Sequence, residues 1–113
     1  MDIQQLTQRA VEIRKRYDEL NTSKYGGAWN GHQLALGFVG DVGDLAKIVM
    51  AKDGLRGIDG DVDEKLRHEL ADCLWVVLVL SNLYGVDIQK EFLKTMDDLD
   101  ERITNEASAQ NAA

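Results

Sequence analysis

The chain has 113 residues, of which 44% are hydrophobic, 29% are charged and none is proline. This composition is that of one folded domain with a modest core, and it excludes a disordered or fibrous protein. Lys and Arg total 13 against 20 Asp and Glu, and the resulting net charge of -7 opposes binding to nucleic-acid polymers and to anionic lipid. We therefore expect no nucleic-acid polymer and no membrane as partners.

The single cysteine, Cys73, lies in an apolar run and cannot form an internal disulfide. It is predicted to be a core residue in a reducing compartment, which favours the cytoplasm. Residues 1–9 lack the apolar region of a signal peptide, and the longest apolar run, 73–80, is too short to cross a bilayer.

Four helices are predicted in chain order, and no stretch alternates as a half-buried strand does. Apolar residues at spacings of three and four predict the first helix from a cap at Asp2 to about residues 21–23. Residues 24–31, with three glycines and two aromatics, predict an irregular connection. The second helix is predicted over about residues 32–52, before a turn at Gly54.

A capping box at Asp61 predicts the start of the third helix, which closes at Gly85. Its second half is apolar on all sides, and in so small a domain a second subunit would cover it most easily. Asp87 caps the fourth helix, whose apolar stripe ends at Ile103. We expect an all-α, four-helix bundle-like domain over residues 1–103 that assembles as a dimer or a dimer of dimers, followed by a disordered tail at 104–113.

Two pairs of carboxylates lie on the second and third helices. Asp41 and Asp44 are three residues apart and share one helical face. Glu69 and Asp72 have the same spacing on the third helix. In an antiparallel hairpin both pairs lie roughly 10 to 18 Å from its tip, at about 1.5 Å per residue, so the four carboxylates could converge.

Converging carboxylates beside apolar neighbours repel one another at a cost of roughly several kcal/mol, which a hard divalent cation would offset. Ligands that are all oxygen favour Mg²⁺ first and Mn²⁺ next, and they argue against zinc. The alternative is that these acids are solvated and paired with basic neighbours. Those neighbours are Lys47, Lys65, Arg67 and His68.

Three glycines, Gly37, Gly40 and Gly43, recur within the second helix, where each costs about 1 kcal/mol relative to alanine. Either another helix packs closely against them, or a ligand approaches the backbone beside Asp41 and Asp44.

Residues 40–46, Gly-Asp-Val-Gly-Asp-Leu-Ala, and 69–74, Glu-Leu-Ala-Asp-Cys-Leu, resemble the MazG-like all-α nucleoside triphosphate pyrophosphohydrolase superfamily. Its signature is Glu-Glu-x-x-Glu on one helix and Glu-x-x-Asp on the next. The resemblance covers residues 25–103 and implies a helical, usually dimeric enzyme that splits a nucleoside triphosphate into monophosphate and pyrophosphate. It implies that the carboxylates that bind Mg²⁺ and act in catalysis are Asp41, Asp44, Glu69 and Asp72.

The chain departs from the family signature at several positions. Gly40 replaces the first Glu, as in the dCTP pyrophosphatase branch that the chain resembles most, so the general base would be a metal ligand or metal-activated water. Asp replaces Glu at 41 and 44, which shortens both side chains. On the last helix Thr95 and Leu99 stand where the family has Lys and Asn, which leaves Arg102 and the adjacent Lys94 as the phosphate-binding cations.

Aromatic residues before the second helix are candidates for base recognition. Tyr25 falls at an aromatic base-contacting position of the dCTP pyrophosphatase branch, and Trp29 lies close to it. Either residue could instead anchor the loop on the core. His32 could contact substrate or be an exposed helix-terminal residue, and Trp75 is expected in the core or at a dimer interface.

The leading hypothesis is a Mg²⁺-dependent pyrophosphohydrolase that acts on small nucleotides such as dCTP or dUTP in a house-cleaning role. The alternative is a non-catalytic helical nucleotide-binding or interaction module that keeps the metal-site scaffold, and the departures at positions 40, 95 and 99 motivate it. A third interpretation is a purely structural four-helix dimer, for which EDTA and Mg²⁺ would leave the melting temperature unchanged.

Overall fold

The computed structural model describes residues 1–25, 27 and 29–112, except for the side chain of Tyr25. These residues form four helices and no strand, which confirms the all-α class. The helices are α1 (Ile3–Tyr25), α2 (Gly31–Lys52), α3 (Val62–Leu83) and α4 (Ile88–Ala112).

The helices begin at caps that pair their otherwise unbonded amides. The side chains of Asp2, Asp61 and Asp87 accept hydrogen bonds from backbone amides two or three residues later, as predicted. α2 begins at a capping box in which Asn30 and Gln33 exchange two bonds of 3.0 Å. This box places the start of α2 at Gly31, one residue before the predicted start.

A hairpin of α2 and α3, with α1 packed on α3, forms the core. The central cluster joins Ala10 of α1 and Leu34 of α2 to Leu78 and Val79 of α3. Trp75 packs against this cluster, and its indole Nε1 donates a hydrogen bond of 3.1 Å to the carbonyl of Ala10. Trp75 is therefore a core residue within one chain, and it fixes the position of α1 relative to α3.

The fourth helix leaves this three-helix core. α3 and α4 meet at 109°, across a turn in which Gly85 has a φ of +67°. The four predicted helices are present, but no residue of α4 is buried, so α4 does not close a bundle with the other three helices within one chain. Ile88 at the start of α4 packs against the core cluster and α4 makes a small contact with α1, whereas the stripe from Phe92 to Ile103 is exposed in one chain. α4 also continues as an exposed helix through 104–112, while the domain boundary at 103 stays a prediction.

Two exposed apolar surfaces result from this arrangement. The outer face of α2 presents apolar side chains at positions 36, 39, 42, 49 and 50, each between 42% and 70% exposed. The α4 stripe comprises Phe92, Leu93, Met96, Leu99 and Ile103, each between 39% and 65% exposed. Among the described residues no single helix combines the length and hydropathy of a membrane span, and only α3 and α4 together, across their bend, reach those values.

The three glycines of α2 differ in their surroundings. A Cβ added at Gly37 would lie 3.1 Å from Cζ3 of Trp29, so the small residue leaves room for this indole. An added Cβ at Gly40 or Gly43 would have no described atom within 4 Å. Packing within the chain therefore accounts for Gly37 and leaves the other two glycines unexplained.

Replacing Gly40 by alanine is expected to stabilise the metal-free protein by about 0.5 to 1 kcal/mol, because alanine is the better helix former and the site is open. Denaturant unfolding measures this change. Gly37→Ala is the comparison and should gain less, since the Trp29 ring must move. A loss of stability at position 40 would show that something outside the single chain packs there.

Candidate functional site

Glu69 on α3 lies close enough to the other three predicted carboxylates for their charges to act on it. Burial raises the pKa of Glu69, and the neighbouring charges of Asp72, Asp44 and Asp41 raise it further, in that order of effect. Glu69 therefore lies near both carboxylates of α2, as the matched heights on the two helices predicted. Their roles as metal ligands and catalytic residues stay predictions.

The tightest group of metal-binding atoms lies on α3 alone. Ligand atoms of His68, Glu69 and Asp72 come within 4.8 Å of one another, whereas Asp41 and Asp44 lie outside this group. Nε2 of His68 is 3.0 Å from Oδ2 of Asp72, so one of the basic partners foreseen for solvated acids is present. The i, i+4 spacing that brings this pair together is visible in the sequence, yet His68 was not predicted as a ligand.

The Cys73 thiol, next to Asp72, is not a candidate nucleophile. Burial raises the pKa of Cys73, and the charges of Asp41, Glu69 and Asp72 raise it further. A nucleophilic cysteine needs the opposite shift, because the thiolate is the reactive form.

A cavity of about 660 Å³, which we call the aromatic cleft, is lined by α1, α2 and α3. Tyr17, Trp29 and Trp75 line it, and so do two of the carboxylates, Asp41 and Asp72. The rings of Tyr17 and Trp75 lie 6.1 Å apart, centroid to centroid, at an angle of 60°. Cavities of this size and composition bind flat organic ligands such as nucleobases.

A second cavity, of about 690 Å³, is lined by the ends of α2 and α3 and the loop between them, and we call it the loop cavity. Asp44 and Glu69, the other two carboxylates, line it. It also contains three cations, Lys47, Arg56 and Lys65, together with the acids Asp61 and Glu64. The carboxylates thus connect an aromatic surface to one that carries cationic groups.

Among the predicted substrate-binding residues whose side chains are described, only Trp29 lines one of the two cavities. Trp29 lines the aromatic cleft with its side chain half exposed. His32 is exposed at the start of α2 and lines neither cavity. Lys94 and Arg102 lie on α4, which contributes no described residue to either cavity. The side chain of Tyr25 lies outside the described residues.

Sequence reasoning missed Arg14 and Tyr17 in the aromatic cleft and Arg56 in the loop cavity. Tyr17 was visible only as one member of the apolar stripe of the first helix. Arg14 carries no motif, because its contact with Trp29 joins residues 15 positions apart. Such proximity depends on how α1 docks and leaves no local signal.

Residues 32–105 match the family model described as the MazG nucleotide pyrophosphohydrolase domain. The match spans nearly two thirds of the chain, includes all four carboxylates and excludes α1. No curated protein and no solved structure matches the chain.

Glu69→Gln is expected to raise the melting temperature of the metal-free protein at neutral pH by about 2 °C. The substitution removes a charge that burial and three nearby carboxylates disfavour. Because the pKa of Glu69 is raised in the folded state, the charged form weakens the fold above that pKa, and stability returns as the pH falls through it.

The advantage of Glu69→Gln over the wild type should therefore shrink as the pH is lowered. Thermal unfolding across a pH series measures this difference, with Glu101→Gln on exposed α4 as the control. A variant less stable than the wild type at neutral pH would contradict the repulsion described above.

Proposed function

We propose that this chain, which belongs to the MazG nucleotide pyrophosphohydrolase family, cleaves a (deoxy)nucleoside triphosphate into monophosphate and pyrophosphate. Family membership indicates nucleotide pyrophosphohydrolase activity. The substrates dCTP and dUTP, the dependence on Mg²⁺ with Mn²⁺ as the substitute, and a house-cleaning role in the cytoplasm are finer parts of the proposal. The observation that carries it is the set of four carboxylates between an aromatic and a cation-containing cavity.

The donor set suits a hard divalent ion. Burial raises the pKa of Glu69 and the charges of three neighbouring carboxylates raise it further, and a cation would relieve that repulsion. Asp41, Asp44, Glu69 and Asp72 would hold the metal, and His68 is a further candidate. A bound Mg²⁺ would neutralise the triphosphate and acidify its bound water.

The chain's own residues would orient the substrate. The base would stack in the aromatic cleft on the half-exposed indole of Trp29. The phosphates would then extend past the carboxylates into the loop cavity. There Lys47, Arg56 and Lys65 would offset the phosphate charge. With Gly40 in place of a glutamate, the general-base role falls to one of the four carboxylates or to water that they hold.

Hydrolysis is tested by pyrophosphate release from a panel of deoxynucleoside triphosphates with Mg²⁺, and EDTA should abolish it. Asp72→Asn is expected to lower kcat/KM by about 100-fold or more, because it removes a charge from the metal set. Asp97→Asn, the same change on exposed α4, should retain wild-type activity.

Two other results would contradict this function. Thermal stabilisation by nucleotides without pyrophosphate release would favour the non-catalytic binding module. A melting temperature that neither Mg²⁺ nor EDTA changes, with no turnover, would favour the structural dimer. Activity of Asp72→Asn equal to that of the wild type would remove that residue from the metal set.

The assembly is a homodimer, or a dimer of dimers, in which the α4 stripe of one copy lies on the outer α2 face of the other. Every residue of these two surfaces is at least 39% exposed in one chain, and exposed apolar patches of this kind mark protein–protein interfaces. Arg102 borders the stripe beside Ile103, so it would lie at the edge of this interface. Lys94 lies on the opposite side of α4.

Leu36→Lys is expected to convert the dimer to a monomer at micromolar concentration, because it places a charge at the most exposed residue of the apolar α2 face. Light scattering coupled to size-exclusion chromatography measures the mass. Leu55→Lys in the loop is a matched control, since Leu36 and Leu55 are 70% and 71% exposed. A wild-type monomer, or a Leu36→Lys dimer, would rule out this interface.

A further inference from the structure

Trp29 is 49% exposed in the aromatic cleft, and its backbone is tied to the first helix. Nη2 of Arg14 donates a hydrogen bond of 3.2 Å to the Trp29 carbonyl, and Oδ2 of Asp18 lies 3.6 Å from Nε of the same guanidinium. One turn earlier on α1, the carbonyl of Ala10 accepts the bond from Trp75 that fixes α1 on α3. The backbone at Trp29 is therefore held through Arg14 to the three-helix core.

Gly37 leaves room for one edge of the Trp29 ring. A Cβ at this position would lie 3.1 Å from Cζ3 and 3.8 Å from Cη2, two atoms of the six-membered ring of the indole. Glycine is a poor helix former, so its use inside α2 needs a reason, and close approach of the indole supplies one. The ring thus rests on α2 one turn before Asp41, which also lines the cleft.

Anchoring of a loop on the core does not explain this arrangement. A core anchor would be buried, whereas about half of the Trp29 surface remains open. Fixing an exposed side chain costs conformational entropy that burial does not recover. An aromatic surface that is already ordered lowers the entropy cost of binding a flat ligand, and this benefit exists only if a ligand uses the surface.

We propose that Arg14 and Gly37 are positioning residues that hold the Trp29 indole as a preformed stacking surface for the nucleobase. Neither residue contacts the base. Arg14 acts through the Trp29 backbone, and Gly37 acts through the edge of the ring. The assignment rests on the proposed function, because the triphosphate at the carboxylates brings the base into the cleft. Affinity for the nucleotide would depend on both residues, whereas the chemistry at the phosphates would not.

The test measures kcat and KM for pyrophosphate release from dCTP with Mg²⁺. Trp29→Ala should raise KM by about tenfold, the effect of losing one base-stacking contact. Arg14→Met and Gly37→Leu should each raise KM by about fivefold with kcat retained, and Arg14→Lys, which keeps a donor, should restore most of the affinity. Arg16→Met, at an exposed position of α1 outside the cleft, should behave as the wild type.

Inorganic triphosphate, used as a competing inhibitor, separates positioning of the indole from general damage to the site. It has no base, so its inhibition constant should be the same in the wild type and in every variant. Thermal unfolding shows whether each variant is folded, and Gly37→Ala or Arg14→Gln replaces one that is not.

A double-mutant cycle separates an effect through the indole from a direct effect on the substrate. In the Trp29→Ala background, Arg14→Met and Gly37→Leu should cause no further rise in KM. A further rise there, an equal weakening of inorganic triphosphate, or a wild-type KM for Trp29→Ala would overturn the assignment and leave the proposed hydrolysis intact. A wild type that releases pyrophosphate from no deoxynucleoside triphosphate would overturn both.

Discussion

Repulsion between Glu69 and the carboxylates around it is the constraint on which the proposed function of this fold depends. Burial of Leu34 and Ile48 holds α2 on α3, and the same packing sets Asp41 and Asp44 opposite Glu69. Negative charge is thus concentrated in a protein that already carries a net charge of -7. A cation at this point would relieve the repulsion and also reverse the local field, so that a triphosphate could approach. Under the proposed function, stability without metal and activity with metal would therefore be opposed at the same residues.

α2 has apolar residues on both its inner and its outer face, and one chain covers only the inner face. Its inner face packs on α3, whereas Leu36 and Val39 on its outer face are about 70% exposed. A helix of this kind is stable only when both faces are covered. The apolar stripe of α4 is also left uncovered, because the bend at Gly85 directs α4 away from the core of its own chain. If the α4 stripe of each copy packed on the outer α2 face of the other, both four-helix bundles would be completed. Folding would then be coupled to association.

The parts of the fold that depend on neighbours in the chain could be predicted from the sequence. Asp2, Asp61 and Asp87 cap helices because a cap needs only the next few amides, and the carboxylates share a level because the rise per residue is constant. The direction of α4 could not be predicted, because it depends on whether a remote apolar surface is present. The aromatic cleft depends on the contact between Trp75 and Ala10, 65 residues apart, which sets how α1 docks. Local periodicity identifies the face of α1 that packs and does not identify its partner.

The four carboxylates and the α1 side of the aromatic cleft lie in different parts of the chain. The carboxylates lie within residues 32–105, the part that matches the family, and Arg14 and Tyr17 lie on α1, outside that part. Phosphate chemistry is common to all nucleotides, so a shared carboxylate set suffices for it, whereas the base must be read by groups that can differ among proteins. Substitutions on α1 could then change the preferred nucleotide without altering the metal ligands. The bond from Arg14 to the Trp29 carbonyl limits this freedom, because replacing the arginine also releases the indole on which the base would stack. Changes of base preference would therefore require coordinated substitutions at positions 14 and 29.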